Sequence, residues 1–255
     1  MRTQMNGYIV ADEDAGIYRF FGYQVCSPQD IRQALADNPP GETLTLEINN
    51  GGGSLFAGFE IYSVLLGAQC PTEAEVQSLA ASAASAAMLG CQKVKATPVA
   101  QVMMHNPSLP ASGNQHVHYK TAEDLEKFAQ SLLNAYEIKC RGKRSREELA
   151  SMLDAETWLT VQEAVEAGLV DEIIGGGDSI IPSQVMNAVG GGMRALSGAG
   201  GLPSAAELRA KKAAMDLAAN GGAGSNGGEG PTNDAPEEAG DQARLAASLS
   251  LKKYY

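Results

Sequence analysis

No apolar run in this 255-residue sequence is long enough to cross a bilayer, and residues 1–6 show no charged start followed by an apolar core. We therefore expect no membrane partner and no export signal, and a cytoplasmic location. Cysteine is scarce and unpaired: Cys26, Cys70, Cys91 and Cys140 lie far apart and form no C-x-x-C motif. This pattern is typical of reduced thiols and does not indicate a disulfide framework.

Basic residues are outnumbered, with 19 lysines and arginines against 30 aspartates and glutamates. Seven basic and seven acidic residues occupy positions 179–255, so the whole net charge of −11 falls on residues 1–178. Nucleic-acid binding needs a basic face that displaces counterions from the phosphates. The acidic body therefore excludes nucleic acid as an expected partner.

Strand-like and helix-like segments alternate from about residue 8 to residue 174. This alternation predicts an α/β fold in which helices cover a mostly parallel sheet, with one domain over residues 1–178. Glycine, alanine, serine and asparagine dominate residues 179–255, and such a composition buries too little apolar surface to offset chain entropy. We expect a flexible tail there, with one marginal, solvated helix at about residues 204–219.

Local signals predict the individual elements. Capping residues Ser27, Ser145 and Thr160 each open a predicted helix, and helical spacing of apolar residues predicts two more, at 55–66 and 125–136. A short helix of small residues is expected to follow Ser82. Strands are predicted at 7–10, 17–21, 43–48, 75–79, 94–96, 99–104 and 169–174.

The small-residue run at 80–87 places Ser82 among alanines. A nucleophilic hydroxyl at a strand-to-helix corner needs such uncrowded surroundings, because the next backbone N–H must be free to hold a developing oxyanion. A lone A-A-S run also occurs where helices pack closely. The neighbouring motifs therefore decide between the two interpretations.

Two neighbouring motifs favour chemistry at Ser82. The glycine cluster at 51–53 lies between a predicted strand and a predicted helix, where backbone amides can point at a substrate oxygen. His105 ends an apolar run, and Asn106-Pro107 breaks the strand there, which puts the imidazole at a sheet end where sites collect in α/β proteins. A satisfied core histidine is the structural alternative for His105. Together these motifs predict a serine hydrolase.

Other titratable residues have competing interpretations. His116 and His118 would share one face of a strand and could bind a metal, but they lack cysteine neighbours and follow a loop-like stretch. We expect a polar exposed hairpin there and no metal site. Asp154 and Glu156 precede a capped helix, and either carboxylate could hold a catalytic imidazole, although helix-dipole or surface roles are the alternative.

The order of these motifs resembles the proteolytic subunit of the Clp protease (ClpP, peptidase family S14). The resemblance runs from about residue 8 to residue 174 and is carried by the glycine turn, A-A-S, M-H-N-P and an acid ahead of E-A-V-E-A-G-L-V-D. The doubled A-A-S-A-A-S, H-N-P and E-T-W-L-T are most similar to phage-encoded relatives associated with prohead maturation. The resemblance implies a ClpP/crotonase-like fold of stacked βα units and no cofactor.

The resemblance also implies roles for single residues. The matched positions are Ser82 as nucleophile, His105 as general base, Glu156 as the acid with Asp154 in reserve, and Gly53 and Ala83 as oxyanion donors. Three features depart from the family's pattern. N-G-G-G replaces S-P-G-G and is expected to loosen the turn, because the φ-locked proline is missing. Ser78 stands where glycine is common, and Glu156 stands where the housekeeping enzymes carry aspartate.

The function that the resemblance implies is a serine endopeptidase that cleaves capsid or scaffold proteins during prohead maturation, in the host cytoplasm or inside the immature head. It also implies a homo-oligomeric ring, with the helix at 125–136 in the stretch used for ring-to-ring contact. The alternatives are a housekeeping ATP-dependent ClpP peptidase that works with an unfoldase, and an inactive scaffold or shell component of the same fold. A crotonase-type acyl-CoA enzyme would share the fold but would not require the serine and histidine.

Overall fold

The computed structural model describes residues 1–175 and 202–221. Helices pack against a mostly parallel sheet, so the predicted α/β class is confirmed. In chain order the elements are β1 (Arg2–Ile9), α1 (Asp12–Phe20), β2 (Val25–Cys26), α2 (Pro28–Asp37), β3 (Leu44–Gly53), α3 (Leu55–Leu66), β4 (Thr72–Ala81), α4 (Ala83–Met88), β5 (Lys93–Ala96), β6 (Gln101–Met104), α5 (Gln115–Cys140), α6 (Arg146–Asp154), β7 (Thr157–Thr160), α7 (Val161–Ala167), β8 (Glu172–Ile173) and α8 (Ala205–Gly221).

The sheet branches at β4. Its main path runs β2-β1-β3-β4-β5-β8, all in parallel pairs, and β6 leaves this path to pair with β4 and β7. The first half of β4 pairs with β5, and its last residues, 79–81, pair in parallel with 101–103 of β6. The carboxyl ends of β4 and β6 therefore meet at one edge of the sheet, where sites form in parallel sheets.

The core lies between the sheet and the helices. Ile48, Val76 and Val102 are buried in the central strands, and Ile61 of α3 and Tyr136 of α5 are fully buried against the same cluster. All four cysteines are free, and three of them are buried. No helix within the described ranges is both long and apolar enough to span a membrane.

The strand predicted at 17–21 is wrong, because residues 17–20 belong to α1 and Phe21 is its C-cap. Three acidic residues, Asp12, Glu13 and Asp14, occupy the first turn of α1, where the positive end of the helix dipole favours carboxylates. Ala15 and Tyr18 are buried three residues apart on one face, which is helical rather than strand spacing. The apolar cluster that suggested a strand is thus one side of an amphipathic helix.

The predicted capped helices are confirmed. Capping boxes open α2 at Ser27, α6 at Ser145 and α7 at Thr160, and Gly168 ends α7 in the left-handed region at φ 82°. The last predicted strand is shorter than expected: only Glu172–Ile173 forms β8, because the N–H groups of Leu169 and Val170 donate back to the carbonyl of Ala164 in α7.

The exposed hairpin predicted around His116 and His118 is also wrong. Helix α5 begins at Gln115, ten residues before the predicted start at 125. The side chain of Asn114 accepts hydrogen bonds from the N–H groups of His116 and Val117, which caps the helix at this point. Both histidines therefore lie in the exposed first turn of α5.

The chain divides into two units, Met1–Lys211 and Lys212–Tyr255. In the first unit, Leu208 is buried against Val10 and Tyr18, and Arg209 forms an ion pair with Asp14 at 2.7 Å. The helix was expected to be solvated, but its first turns are packed, because Leu208 is buried against apolar residues that include Tyr18 of α1. In the second unit, Lys212 pairs with Asp216 at 2.7 Å. The predicted boundary at 178 and most of the predicted tail lie outside the described residues.

Candidate active site

Ser82 lies at the sharp corner between β4 and α4. Its backbone has φ 56° and ψ −126°, a conformation that a residue with a Cβ adopts only when its surroundings enforce it. The Ser82 N–H donates to the carbonyl of Met103 at 2.9 Å, and the Ser82 carbonyl accepts from the N–H of Ser85 at 3.0 Å. The adjacent Ala81 and Ala83 are buried, so only small side chains crowd this corner.

The structure brings Ser82 and His105 together. The parallel pairing of Ala81 with Met103 places both side chains just beyond the ends of neighbouring strands. The Oγ of Ser82 lies 2.8 Å from Nε2 of His105, which is within reach for proton transfer between a nucleophile and a general base.

The environment of His105 favours the neutral imidazole. Partial burial lowers the pKa of His105 below its ordinary value of 6.5, and the negative charge of Glu156 opposes this shift. Since burial is the larger effect, the ring is unprotonated near pH 7 and can accept a proton from Ser82.

Glu156 comes near His105 through a strand that the sequence did not reveal. Strands β6 and β7 are antiparallel and Met104 pairs with Thr157, so His105 leaves one strand where Glu156 enters the other. Glu156 is exposed and has a positive φ of 49°. Within the described residues no hydrogen bond joins the Glu156 carboxylate to the imidazole. Glu156 therefore acts on His105 through its charge.

The reserve acid Asp154 has a different partner. Its Oδ1 accepts a hydrogen bond from Nδ2 of Asn106 at 2.6 Å. This bond ties the end of α6 to the segment that follows β6. The structure thus places Asp154 beside Asn106, whereas Glu156 lies close enough to His105 for its negative charge to raise the pKa of the imidazole.

The glycine turn after β3 packs directly against Ser82. Gly52 and Gly53 have φ values of 97° and 139°, and a Cβ on Gly52 would lie only 2.6 Å from the Cβ of Ser82. A Cβ on Gly53 would lie 2.1 Å from the carbonyl oxygen of Ile9. Only glycine satisfies both the backbone conformation and the close approach.

Asn50 restrains this turn. Its side chain is fully buried, and Oδ1 accepts a hydrogen bond from the N–H of Gly52 at 2.9 Å. A side chain that bonds to the backbone two residues ahead stabilises a turn much as a backbone bond does. This bond offsets the loosening that was expected from the missing proline, and an asparagine at the start of a glycine run is the signal that could have revealed it.

A cavity of about 240 Å³ opens beside the serine and histidine. Gly53, Ser82, Ala83 and His105 line one end of the cavity. The two predicted oxyanion residues therefore face the same space as the hydroxyl and the imidazole. An acyl group bound here would lie next to the Ser82 hydroxyl, the His105 imidazole and residues Gly53 and Ala83.

The other walls of the cavity are largely apolar, and sequence reasoning missed them. Phe56 of α3 and Phe128 of α5 meet edge to face at 5.0 Å, and Leu55, Leu109 and Leu132 complete the wall. These residues are far apart in sequence, so no local pattern reveals that they share a cavity. Within the described ranges, no group of three histidine, cysteine, aspartate or glutamate side chains could hold a metal ion.

Comparisons with known proteins agree with this geometry. The family model described as Clp protease matches residues 31–176. The ATP-dependent Clp protease proteolytic subunit 1 of Chlamydia abortus is 32% identical over 139 residues, which cover 53% of this chain and 71% of the relative. Subunit 2 of Corynebacterium diphtheriae is 33% identical over 147 residues, 55% of this chain and 70% of the relative. Subunit 2 of Nocardia farcinica is 34% identical over 148 residues, with coverage of 55% and 69%. The chain belongs to the Clp protease family.

Proposed function

We propose that this chain is a serine endopeptidase of the Clp type, with Ser82 as nucleophile and His105 as general base. The observation that carries the proposal is the 2.8 Å approach of the Ser82 hydroxyl to Nε2 of His105, at an end of a cavity that Gly53 and Ala83 also line. Membership in the Clp protease family supports the same chemistry. The catalytic domain is proposed to be residues 1–178, followed by the tail.

The proposed reaction is acyl transfer in two steps. His105 Nε2 takes the proton of Ser82 as Oγ attacks the peptide carbonyl, and the N–H groups of Gly53 and Ala83 hold the resulting oxyanion. The imidazolium then gives its proton to the leaving amine as the C–N bond breaks. Water attacks the acyl-enzyme, His105 takes the water's proton and returns one to Ser82, and the carboxylic acid product leaves. The charge of Glu156 stabilises the imidazolium in both steps, and no cofactor is required.

The apolar part of the cavity supports a substrate preference. Phe56, Phe128 and Leu132 surround space next to the reactive pair. An apolar substrate side chain that enters this space is removed from water, which contributes about 25 cal/mol of favourable binding free energy per Å² of buried apolar surface. We propose that such a side chain is bound next to the cleaved bond.

For the biological role, we propose cleavage of capsid or scaffold proteins in prohead maturation by a homo-oligomeric ring. The doubled A-A-S-A-A-S and the H-N-P and E-T-W-L-T motifs support this role. The relatives described above are ATP-dependent Clp protease proteolytic subunits, and this favours the second candidate, a peptidase that works with an unfoldase. An inactive shell component would not need the hydroxyl and imidazole in contact.

Labelling by a fluorophosphonate tests the chemistry, because only an activated serine reacts. We expect rapid labelling of the wild type, and loss of both labelling and peptide hydrolysis in Ser82→Ala. Ser63→Ala should be labelled and should hydrolyse peptides as the wild type does. Ser63 is a matched control because its exposed hydroxyl donates to the carbonyl of Phe59 within α3. Equal labelling of Ser82→Ala, or an unreactive wild type, would reject the proposed peptidase.

The same variants separate the two roles. Wild type and Ser82→Ala are incubated with phage capsid and scaffold proteins, and in parallel with a folded substrate, an unfoldase and ATP. Cleavage of capsid or scaffold proteins without ATP supports the maturation role. Cleavage that occurs only with the unfoldase and ATP supports the housekeeping role instead.

A further inference from the structure

Two buried hydroxyl groups lie directly behind the nucleophile, and the reaction described above does not use them. Ser85 of α4 and Tyr136 of α5 are both fully buried. The Tyr136 hydroxyl lies 2.6 Å from Oγ of Ser85, and that Oγ lies 2.7 Å from the carbonyl oxygen of Ser82. The three groups form a continuous chain from α5 to the backbone of the nucleophile.

The direction of the protons in this chain follows from chemistry. A carbonyl oxygen can only accept, so the single proton of the Ser85 hydroxyl is donated to Ser82. Tyr136 must then donate its own proton to Ser85. Each hydroxyl donates to the next group, and hydrogen bonds in such a series strengthen one another by polarisation.

The carbonyl at the end of this chain belongs to the same peptide group as the proposed oxyanion donor. In a trans peptide the carbonyl oxygen of Ser82 and the N–H of Ala83 lie in one plane and point in opposite directions. Ala83 is the first residue of α4, so its N–H has no acceptor within the helix, and the residue lines the cavity. Any contact that holds the Ser82 carbonyl therefore also aims the Ala83 N–H.

The peptide group between Ser82 and Ala83 follows a strained backbone conformation, so its orientation must be stabilised by contacts. Ser82 has a φ of 56°, which is costly for a residue with a side chain. Its carbonyl accepts from the N–H groups of Ser85 and Ala86 at 3.0 and 3.3 Å, and the hydroxyl of Ser85 adds the shortest of the three bonds. Tyr136 anchors that hydroxyl to α5.

We propose that Tyr136 and Ser85 form a buried hydroxyl relay that aims the Ala83 N–H at the oxyanion. The inference rests on the proposed peptidase function. Both are positioning residues, since neither touches the reacting atoms. Leu132, one turn before Tyr136 on α5, lines the cavity, so the helix that bounds the substrate site also holds the oxyanion donor in place.

The test removes each hydroxyl with little change of shape, in Tyr136→Phe and Ser85→Ala. Removing an oxyanion donor lowers kcat by about 10²- to 10³-fold, so a donor that is present but misoriented is expected to lower kcat by about 5- to 30-fold. KM should stay within about twofold, because the donor binds charge that develops only in the transition state. The affinity for a peptide aldehyde, which forms a tetrahedral adduct with Ser82, should weaken in parallel with kcat.

The double variant tests whether the two hydroxyls act in series. Because Tyr136 is proposed to act only through Ser85, Tyr136→Phe combined with Ser85→Ala should lower kcat no further than the more damaging single variant. Independent contributions would instead multiply. A multiplied loss would therefore overturn the relay.

Thr72→Val is the matched control. The Thr72 hydroxyl is also fully buried, but it lies at the start of β4 and accepts from the N–H of Gln92 at 3.2 Å. Its loss should lower the unfolding midpoint as the relay variants do, with kcat unchanged. An equal fall of kcat in Thr72→Val would show that lost stability, and not misaiming, explains the effect.

Two further results would distinguish a failure of the relay from a failure of the proposed peptidase function. If the wild type hydrolyses peptides and Tyr136→Phe keeps full kcat, the relay fails and the peptidase stands. An inactive wild type overturns both. Tyr136→Phe keeps its ring in the core and decides the question alone if Ser85→Ala does not fold.

Discussion

His105 shows how a single residue acquires its reactivity from its surroundings. Partial burial keeps the ring neutral, and Glu156 opposes this from the adjoining strand through its charge. Because no hydrogen bond in the described part of the chain joins the two, Glu156 is expected to tune His105 more weakly than a bonded triad acid would. The pH dependence of the proposed peptidase activity is therefore expected to report on both residues.

We predict that kcat/KM of the wild type rises with pH through an inflection below 6.5, because only the neutral imidazole accepts the Ser82 proton. Glu156→Gln removes the charge that raises the pKa of His105, so the inflection should move to lower pH. The kcat should fall by about 3- to 10-fold, well short of the ~10⁴-fold loss for a bonded triad acid. A pH profile from 4.5 to about 8.5 on a peptide substrate measures both effects.

Asp154→Asn serves as the comparison in this experiment. Its carboxylate bonds to Asn106, so its removal should leave the inflection in place. An inflection that moves upward in Glu156→Gln, or that moves more in Asp154→Asn, would contradict the assignment of Glu156.

The glycine turn at the end of β3 carries the corresponding argument for an element. Its backbone passes so close to Ser82 that side chains are excluded at Gly52, while neighbouring Gly51 has open surroundings. The turn therefore works by its backbone path, and adjacent glycines are not equivalent.

We predict that Gly52→Ala lowers kcat/KM by about 10²-fold or more, since its Cβ would displace Ser82 and the oxyanion donors together. The added Cβ would lie 2.6 Å from the Cβ of Ser82 and 2.8 Å from the carbonyl oxygen of Ala81. Gly51→Ala is the control, because the nearest atom to its Cβ is a ring carbon of Tyr8 at 3.9 Å. Kinetics and fluorophosphonate labelling of both variants measure the difference. Similar activity in the two would refute the close-approach argument.

Element boundaries were predictable where a local signal decides them. The capping boxes at Ser27, Ser145 and Thr160 satisfy helix N–H groups with side chains only three residues away, so the sequence pattern is sufficient. Helix α1 was missed because its apolar residues cluster as they would in a strand. Strand β7 was missed because a four-residue strand is defined by its partner β6 and not by its own composition.

For the whole molecule, the first turns of α5 matter most. Residues 115–120 are all exposed, and they include Val117 at 42% and Tyr119 at 62% exposure. Apolar side chains that are exposed on a helix end favour contact with another copy of the chain. This supports the proposed homo-oligomer.

We predict that light scattering at micromolar concentration gives the mass of an oligomer. Val117→Asp combined with Tyr119→Asp should shift the mass toward the monomer, because charged side chains are costly to bury at an interface. Gln115→Glu, which adds one acid at the start of the same helix without removing an apolar side chain, is the control. A monomeric wild type would count against the ring.

The amino-acid sequence alone specified the α/β class and the capped helices, because local periodicity and capping act over a few residues. It also predicted Ser82 and His105 as site residues from the order of its motifs, and Gly53 and Ala83 through the resemblance to the Clp protease family. Tertiary structure decided the contacts: the 2.8 Å distance between Ser82 Oγ and His105 Nε2, the charge of Glu156 near the imidazole, the apolar cavity and the Tyr136–Ser85 relay. Each joins residues from separate elements, and their distances depend on how β4, β6, β7 and α5 pack, which no local pattern encodes.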